Sequence, residues 1–331
     1  MKKLITIITA LTLIVVLYSV SDEEAVNEVA TENPTVSLLQ LVSHPSLDQI
    51  TQGVIDELEN EGYIDGETME LDFQNAQGDQ NNMNTMSNRF VNNNADIMIG
   101  IATPAVQALA NSSNDIPVVM GAVTDPINAG LVDDLDQPGS NITGVRDITP
   151  YEQQVDLITE MIPEIETLGI IYSTGEVNSV KQSEETAEYA ESLGIDVVEA
   201  TITSTNDLQQ VGQNLVNQVD AIWVGTDNNV ASAFPTLIEV ANGSQVPVFP
   251  AVAEMVEEGG LATQGINQYQ LGVLTGRMAA QILQGEDPAT LPIEDPSETE
   301  LIINTEQAEL LGIELEDSLI ESADQIVEEE N

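Results

Sequence analysis

The sequence predicts an α/β fold with two lobes, each built on a parallel sheet, and three observations lead to this prediction. Short apolar segments typical of buried strands alternate with segments whose apolar residues recur at helical spacing. The same order of segments begins again in the second half of the chain, where residues 167–194 repeat the pattern of residues 35–62. The chain of 331 residues is also long enough to bury two cores of ordinary size.

The first half contains four predicted strands, at residues 36–42, 69–73, 96–101 and 118–123. A turn around His44 and Pro45 can cap the first helix, which ends near Gly62. A second helix follows Asp79 and runs to about residue 93. The third begins with Pro104 in its first turn, where the missing amide hydrogen costs nothing.

The fourth strand organises this half of the chain, because a polar turn follows it directly. Thr124 and Asp125 come after the apolar run, and Pro126 ends the strand because it lacks an amide hydrogen. Open α/β sheets place ligands at the carboxyl ends of their strands, so these two short side chains are predicted to face a cleft. A capped loop without a ligand is the alternative.

Three landmarks of the first half recur in the second. They are the strand from residue 167 with its helix to residue 194, the strand at 220–224, and the Val-Pro-Val segment at 246–248. A helix at 273–283 is predicted to cross back to the first lobe, and 301–304 is a last short strand. The acidic end from Glu314 is predicted to be a peripheral helix or a frayed tail.

The N-terminus resembles an export signal. Lys2 and Lys3 precede an apolar run from residue 4 to residue 20, and small residues follow at the spacing that a signal peptidase reads. An uncleaved anchor is the alternative, because the run approaches the length of a short membrane helix. The polar residues 22–34 are predicted to form an acidic linker to the folded body.

The charge of the chain excludes several functions. Six Lys and Arg stand against 57 Asp and Glu, a net charge of -51 that repels nucleic acids and anionic lipids. Such an acidic surface remains soluble at high ionic strength, where salt screens its self-repulsion, so we predict a salt-requiring protein. The sequence has no Cys and therefore no disulfide, thiolate metal site or lipidated cysteine.

The loops that follow the predicted strands could together hold a zwitterion. Helices beginning near Thr103 and Ser179 would offer free amides to a carboxylate. Asp125, Glu176 and Asp227 could balance an ammonium group, so a small amino acid is a chemically reasonable ligand. For any single residue of this kind, a helix-capping or turn-forming role is the more common alternative.

An enzyme is the less favoured alternative. His44 is the single histidine, but the sequence shows no nucleophile–base pattern around it and a Pro follows it, so lining a cleft is favoured over general-base catalysis. We expect no metal site, since the acidic residues show no ligand spacing, and no cofactor, since no glycine-rich phosphate loop is present.

Six motifs in order resemble the ABC-transporter substrate-binding proteins of the tryptophan/tyrosine type. They are LQLVSHP at 39–45, QNAQGD at 74–79, IATP at 101–104, AVTDP at 122–126, PGSNITG at 138–144 and TDN at 226–228. The resemblance covers residues 36–313. It implies a type I periplasmic-binding-protein architecture, in which two Rossmann-like lobes joined by a three-stranded hinge close over one small ligand.

The resemblance also implies the domain boundaries and the site. Residues 35–147 with about 263–292 would form lobe 1, residues 148–262 with about 297–313 lobe 2, and residues 314–331 an acidic tail. One wall of the cleft would carry Gln40, His44, Thr103, Thr124 and Asp125. The other would carry Ser173, Glu176, Asn178, Ser179, Asp227 and Asn228.

The function implied is solute binding for an ABC importer, with an aromatic or hydrophobic amino acid as ligand and a permease with a separate ATPase as partners. We expect a monomer that is not an enzyme, binds no nucleic acid, and is secreted or attached to the outer face of the cell membrane. An extracytoplasmic ligand-sensing receptor of the same fold is the alternative. The missing lipidated Cys and the extreme acidity depart from the family pattern.

Overall fold

The computed structural model describes residues 33–148 and 150–328. The predicted export signal or anchor at 1–21 and nearly all of the linker at 22–34 lie outside the described residues. The last three residues of the tail do so too. Within the described ranges, no helix combines the length and the apolar character needed to cross a bilayer.

The first lobe is a five-stranded parallel sheet in the order β2-β1-β3-β4-β5. Its strands are β1 Thr35–Gln40, β2 Glu70–Asn75, β3 Ile97–Ile101, β4 Val118–Val123 and β5 Ile142–Arg146. Its helices are α1 Pro45–Asn60, α2 Gln80–Asn92 and α3 Thr103–Ser112. Strands β3 and β4 are buried along their whole length, as expected for the centre of a sheet covered on both faces.

The second lobe contains a four-stranded parallel sheet in the order β7-β6-β8-β9. Its strands are β6 Thr167–Ser173, β7 Asp196–Ile202, β8 Ala221–Val224 and β9 Val248–Pro250. Its helices are α4 Tyr151–Met161, α5 Val177–Ser192, α6 Leu208–Leu215, α7 Asn228–Ala231, α8 Phe234–Gly243 and α9 Ala253–Glu257, with a 3-10 turn at Thr205–Asp207 before α6.

A third, small sheet completes the second lobe. It contains β10 Ala262–Gly265, β11 Glu300–Asn304 and β12 Gln325–Val327, with β10 antiparallel and β12 parallel to the central β11. The remaining helices are α10 Gln268–Leu283, α11 Thr305–Leu311 and α12 Asp317–Ser322. The alternating strands, parallel sheets and two separate cores confirm the predicted α/β class.

The backbones of α1 and α10 are in close contact. A Cβ atom on Gly272 would lie 2.1 Å from the carbonyl oxygen of Ile50, and one on Gly53 would lie 2.3 Å from that of Tyr269. No side chain fits at such distances, so these two glycines are required by the close approach. The helix after β10 is therefore packed against the first lobe, as the sequence predicts.

Two boundaries differ from the expected ones. Residues from about 263 were expected in the first lobe, but Ala262–Gly265 pairs with β11, and Ala262 is buried in the core of the second lobe. The acidic end contains the peripheral helix that was one of the two expectations, α12, but it belongs to the second lobe, because β12 extends the small sheet and Leu319 is buried in that lobe's core.

The chain passes between the lobes three times, after β5, between β10 and α10, and between α10 and β11, which confirms the predicted three-stranded hinge. The third crossing is fixed to the first lobe, because Arg146 donates two hydrogen bonds of 2.6 Å to the carboxylate of Asp295. The helix expected at 273–283 begins earlier, at Gln268, since the side chain of Asn267 caps it by accepting from the amide of Gln270.

Candidate functional site

A cavity lies between the lobes, where the carboxyl ends of β3, β4 and β8 meet. About 500 Å³ within it is free of protein atoms, a figure that includes space open to solvent. Both lobes contribute to its wall. The lining residues are His44, Ser46, Leu47, Ala102, Thr103, Ala122, Thr124, Asp147, Asn178, Gly225, Thr226, Asp227, Asn228, Ala231, Val252, Met255 and Gln268.

His44 offers a hydrogen-bond donor to the cavity. It precedes α1, and its Nδ1 accepts the amide hydrogen of Ser46 at 3.3 Å. Burial lowers the pKa of His44 to about 4, despite the opposing charge of Asp48, so the ring is neutral at pH 7. The single proton then sits on Nε2, which is buried without a hydrogen bond and lies 3.8 Å from the carboxylate of Glu258 on the second lobe.

Thr103 presents a second unpaired group on the same wall. It is the first residue of α3, whose preceding residue Ala102 provides no side-chain cap. The hydroxyl of Thr103 is buried and has no hydrogen-bond partner. The start of this helix therefore offers an unpaired hydroxyl beside the positive end of the helix dipole, an arrangement that suits a carboxylate.

Asp147 is the buried carboxylate of the first wall. It follows β5 and is only 6% exposed. Burial raises its pKa to about 6, opposed by a hydrogen bond from Gln268 and assisted by the charge of Glu254. None of the ion pairs in the described part of the chain involves Asp147. Burying a carboxylate without a nearby cation costs free energy, and an ammonium group of a ligand would offset that cost.

The polar groups of the second wall are bonded mostly to one another. One oxygen of Asp227 accepts hydrogen bonds from the amide of Ser173 and the hydroxyl of Ser179, and the other accepts from the amide of Val230 at 2.8 Å. Burial raises the pKa of Asp227. Through these hydrogen bonds, its two oxygens link α5, α7 and the end of β6.

Glu176 is engaged in the same way. Its carboxylate accepts from the backbone amides of Asn228 and Asn229 at 3.3 and 3.1 Å, and from both of their side-chain amides. Burial, with the nearby charge of Asp227, raises the pKa of Glu176 to about 7 against these hydrogen bonds. The carboxylate therefore fixes the start of α7 and faces a neighbouring cavity rather than the central one.

A pair of threonines joins the two walls. The Thr226 hydroxyl donates to Oε1 of Gln182 at 3.0 Å, and the backbone amide of Thr226 donates to the same oxygen at 2.9 Å. The hydroxyl oxygens of Thr124 and Thr226 are 3.2 Å apart. Because the Thr226 proton is already used, Thr124 is the donor in this bond across the cleft.

The apolar part of the lining has small side chains beside larger ones. Leu47, Val252 and Met255 supply the larger apolar surfaces. Ala102 and Ala122, at the ends of β3 and β4, have φ angles of 77° and 60°, which side-chain-bearing residues rarely adopt. Two of the five non-glycine residues with positive φ in the described part of the chain therefore lie on the first wall of the cavity.

Six of the eleven predicted site residues line this cavity, namely His44, Thr103, Thr124, Asn178, Asp227 and Asn228. The other five do not. Gln40 bonds to Val42, Asp48 and Thr51 beneath the wall, and Asp125 caps its own turn by accepting from Asn128. Ser173, Glu176 and Ser179 belong to the second-lobe network described above. Whether any of the six contacts a ligand stays a prediction.

The predicted site residues leave out the apolar lining and four polar residues, Ser46, Asp147, Thr226 and Gln268. Asp147 and Gln268 lie where the chain crosses between lobes, one after β5 and the other at the start of α10. The strand β5 was not predicted, although the PGSNITG motif leads into it. A strand assigned there would have drawn attention to Asp147 at its carboxyl end.

Residues 35–327 match the model of a known family, described as ABC transporter substrate binding protein. The chain belongs to this family. It is therefore a solute-binding protein of an ABC transporter and not an enzyme, as the sequence motifs predicted. The family's fold confirms the periplasmic-binding-protein architecture.

Relatives of this substrate-binding protein support the assignment. It is 37% identical over 279 residues to the tyrosine-binding protein of Clostridioides difficile, covering 84% of this chain and 81% of the relative. A solved ABC domain from Streptococcus pneumoniae in complex with L-Trp is 44% identical and superposes with a TM-score of 0.87. That match covers 89% of this chain and all of the other.

A third relative is a solved structure without ligand. The ligand-free, open structure of a substrate-binding protein with adhesive properties from Clostridium difficile is 37% identical. It superposes with a TM-score of 0.70, covering 90% of this chain and all of the other. The present structure therefore superposes better on the L-Trp complex than on this open structure.

Proposed function

We propose that this protein binds an aromatic amino acid in the interlobe cavity and delivers it to an ABC importer at the outer face of the cell membrane. One observation carries the proposal. The buried carboxylate of Asp147, which has no cation, and the unpaired donors of His44 and Thr103 line the same cavity, most of whose surface is apolar. These are the complements of an ammonium group, a carboxylate and an apolar side chain.

The ligand's charged groups are assigned to the first lobe. Asp147 would accept hydrogen bonds from the ammonium group, which is the role that the sequence suggested for Asp125, Glu176 or Asp227. Those three carboxylates already accept hydrogen bonds from the protein. Thr103 and His44 would donate to the ligand carboxylate, assisted by the positive end of α3.

The aromatic side chain is supported by the wall and by the relatives. Small residues such as Ala102, Ala122 and Ala231 leave room for a flat ring, and Leu47 and Met255 offer apolar contacts to it. The tyrosine-binding relative and the L-Trp complex make an aromatic amino acid the first choice. The Thr124–Thr226 bond would hold the lobes closed over it.

A thermal-shift screen of the common amino acids in molar salt tests this proposal. A ligand at about 100 times its Kd stabilises a protein by about 2.7 kcal/mol, so L-Trp or L-Tyr is expected to raise Tm by several degrees. Their D-enantiomers are the matched control, because inversion moves the ammonium group away from Asp147. If no aromatic or branched amino acid raised Tm, the ligand assignment would be wrong.

We infer export from the cytoplasm, delivery to an ABC importer and a monomeric state from the family and the N-terminal sequence. Cell fractionation should recover the protein outside the cytoplasm, either in the medium or attached to the membrane. Deleting its gene should abolish high-affinity uptake of the ligand, and light scattering should give the mass of one chain. Normal uptake in the deletion strain would favour a receptor over an importer subunit.

The charge distribution supports a salt requirement. In the described part of the chain, each Lys and Arg already pairs with a carboxylate, in Arg89–Asp72, Arg146–Asp295, Lys181–Glu185 and Arg277–Glu57. Most other acidic groups therefore repel one another, and added salt screens this repulsion. We expect Tm to rise between 0.1 M and molar NaCl. A flat or falling Tm would contradict salt adaptation.

A further inference from the structure

The side chain of Asn178 is anchored at one end and free at the other. Its Nδ2 donates to the backbone carbonyl of Thr226 at 2.9 Å, which fixes the orientation of the amide. The opposite atom, Oδ1, is buried without a partner in the described chain, and the residue, only 5% exposed, lines the central cavity. Asn178 therefore presents a fixed, neutral hydrogen-bond acceptor to whatever occupies the cavity.

We propose that Asn178 determines ligand specificity by accepting a hydrogen bond from the N–H or O–H group on the ligand's aromatic side chain. This inference rests on the proposed function and extends it. The preferred ligand is an aromatic amino acid with a polar hydrogen on its ring system, such as an indole or a phenol, rather than one with a plain phenyl ring.

The position of Asn178 favours a neutral donor over the ligand's ammonium group. It is the second residue of α5, a helix whose start has no side-chain cap and carries the positive end of the dipole. The nearby carboxylates of Glu176 and Asp227 are already engaged by amide and hydroxyl donors. Asp147, on the opposite wall, is the better partner for a cation.

The position also excludes the ligand's carboxylate as the partner of this atom. An amide oxygen and a carboxylate oxygen are both acceptors and repel each other at hydrogen-bond distance. Thr103 and His44 on the first lobe supply the donors that a carboxylate needs. The first lobe would thus hold the groups common to all amino acids, and Asn178 on the second lobe would distinguish their side chains.

Isothermal titration with two matched ligand pairs tests the inference. The pairs are L-Tyr with L-Phe, and L-Trp with its benzothiophene analogue, in which sulfur replaces the indole N–H. A ligand without the donor leaves Oδ1 buried and unpaired, so each donor-bearing member is expected to bind at least about tenfold more tightly. In Asn178→Leu, which has similar size and no acceptor, each ratio should fall towards one.

Ratios within one variant cancel any general loss of affinity, and Asp125→Asn, at a side chain that caps its own turn outside the cavity lining, serves as a control that should preserve them. If the wild-type ratios are near one, or if Asn178→Leu weakens both members of a pair equally, the inference is wrong while aromatic amino-acid binding stands. Wild-type ratios near one overturn the inference even if the variant does not fold. Failure of all four ligands to bind would overturn the proposed function as well.

Discussion

The two walls of the cavity differ in how their polar groups are satisfied. On the first lobe, His44 Nε2 and the Thr103 hydroxyl have no partner, and Asp147 has no cation. On the second lobe, Asp227 and Glu176 are saturated by donors from the same lobe. Buried groups without partners cost free energy, whereas a saturated network stabilises its surroundings. The difference supports the proposal that the first wall binds the ligand's charged groups, whereas the carboxylates of the second wall keep its shape and leave Asn178 Oδ1 to the ligand's side chain.

The largest expected effect is that of Asp147→Asn on affinity. Loss of the carboxylate leaves a ligand ammonium group buried without its charged partner, which costs roughly 3 kcal/mol, or about 100-fold in Kd. The unliganded variant should not lose stability at pH 8. The raised pKa of Asp147 shows that folding disfavours the ionised carboxylate, so its removal takes away an unfavourable charge. Titration calorimetry and chemical denaturation measure the two quantities.

Asp125→Asn is the matched control for this variant. Asp125 follows β4 as Asp147 follows β5, but it caps its own turn, and an asparagine can accept the same hydrogen bond. Affinity should therefore be unchanged. An equal loss of affinity in both variants would mean that the net charge of the cleft, rather than one carboxylate, holds the ligand.

Asp227→Asn tests the second wall and should act on stability. An asparagine can still cap α7, but its amide nitrogen cannot accept the hydrogen bonds from Ser173 and Ser179. The side-chain NH2 of the asparagine would then face the Ser173 N–H, with both donors unsatisfied, and this should destabilise the protein by about 2 kcal/mol. Denaturation in urea checks this. If the variant kept full stability and lost only affinity, the proposed division between the walls would be wrong.

The pH dependence of binding should follow Asp147. Its folded-state pKa, about 6, lies above the usual value of 3.8, so protonation competes with ligand binding below pH 6. Affinity should fall by up to tenfold per pH unit below that point and level off above it. The stability of the unliganded protein should change in the opposite direction, falling as pH rises from about 4 through 6.

Two variants separate this effect from other titrations. His44 is mostly neutral above pH 5 because its pKa is about 4, but the pKa of Glu176 is about 7. Glu176→Gln removes that titration and keeps an acceptor for the amides of either Asn228 or Asn229, though not of both. The decline below pH 6 should persist in this variant and vanish in Asp147→Asn. Persistence in both would assign the decline to another group.

The smallest expected effect is that of Ala102→Gly. Its φ of 77° and ψ of 150° lie in a region populated mainly by glycine. Relief of this strain should exceed the entropic cost of glycine, giving a net stabilisation of about 1 kcal/mol or less. Denaturation midpoints measure it. A contact between the Ala102 methyl group and the ligand would explain why alanine occupies this position. A modest loss of ligand affinity in Ala102→Gly would support such a contact.

The sequence predicted the strands better than the pairing of the polar groups. The strand at 118–123 has the predicted bounds, because six consecutive apolar residues end at a proline-bearing turn. Glu176, by contrast, was expected to face a ligand but bonds to Asn228 and Asn229, more than fifty residues away. Spacing in the chain does not reveal such long-range partners, nor does it mark Asp147, which stands alone at a crossing between lobes.

The close contact of α1 with α10 has a consequence for the order of events in binding. His44 at the start of α1 and Gln268 at the start of α10 belong to the same rigid unit, although 224 positions separate them. Under the proposed function, opening of the hinge would leave both residues on the same lobe as Asp147. An arriving solute would dock on this lobe before the other closes over it, so capture and retention would be separate steps with separate rates.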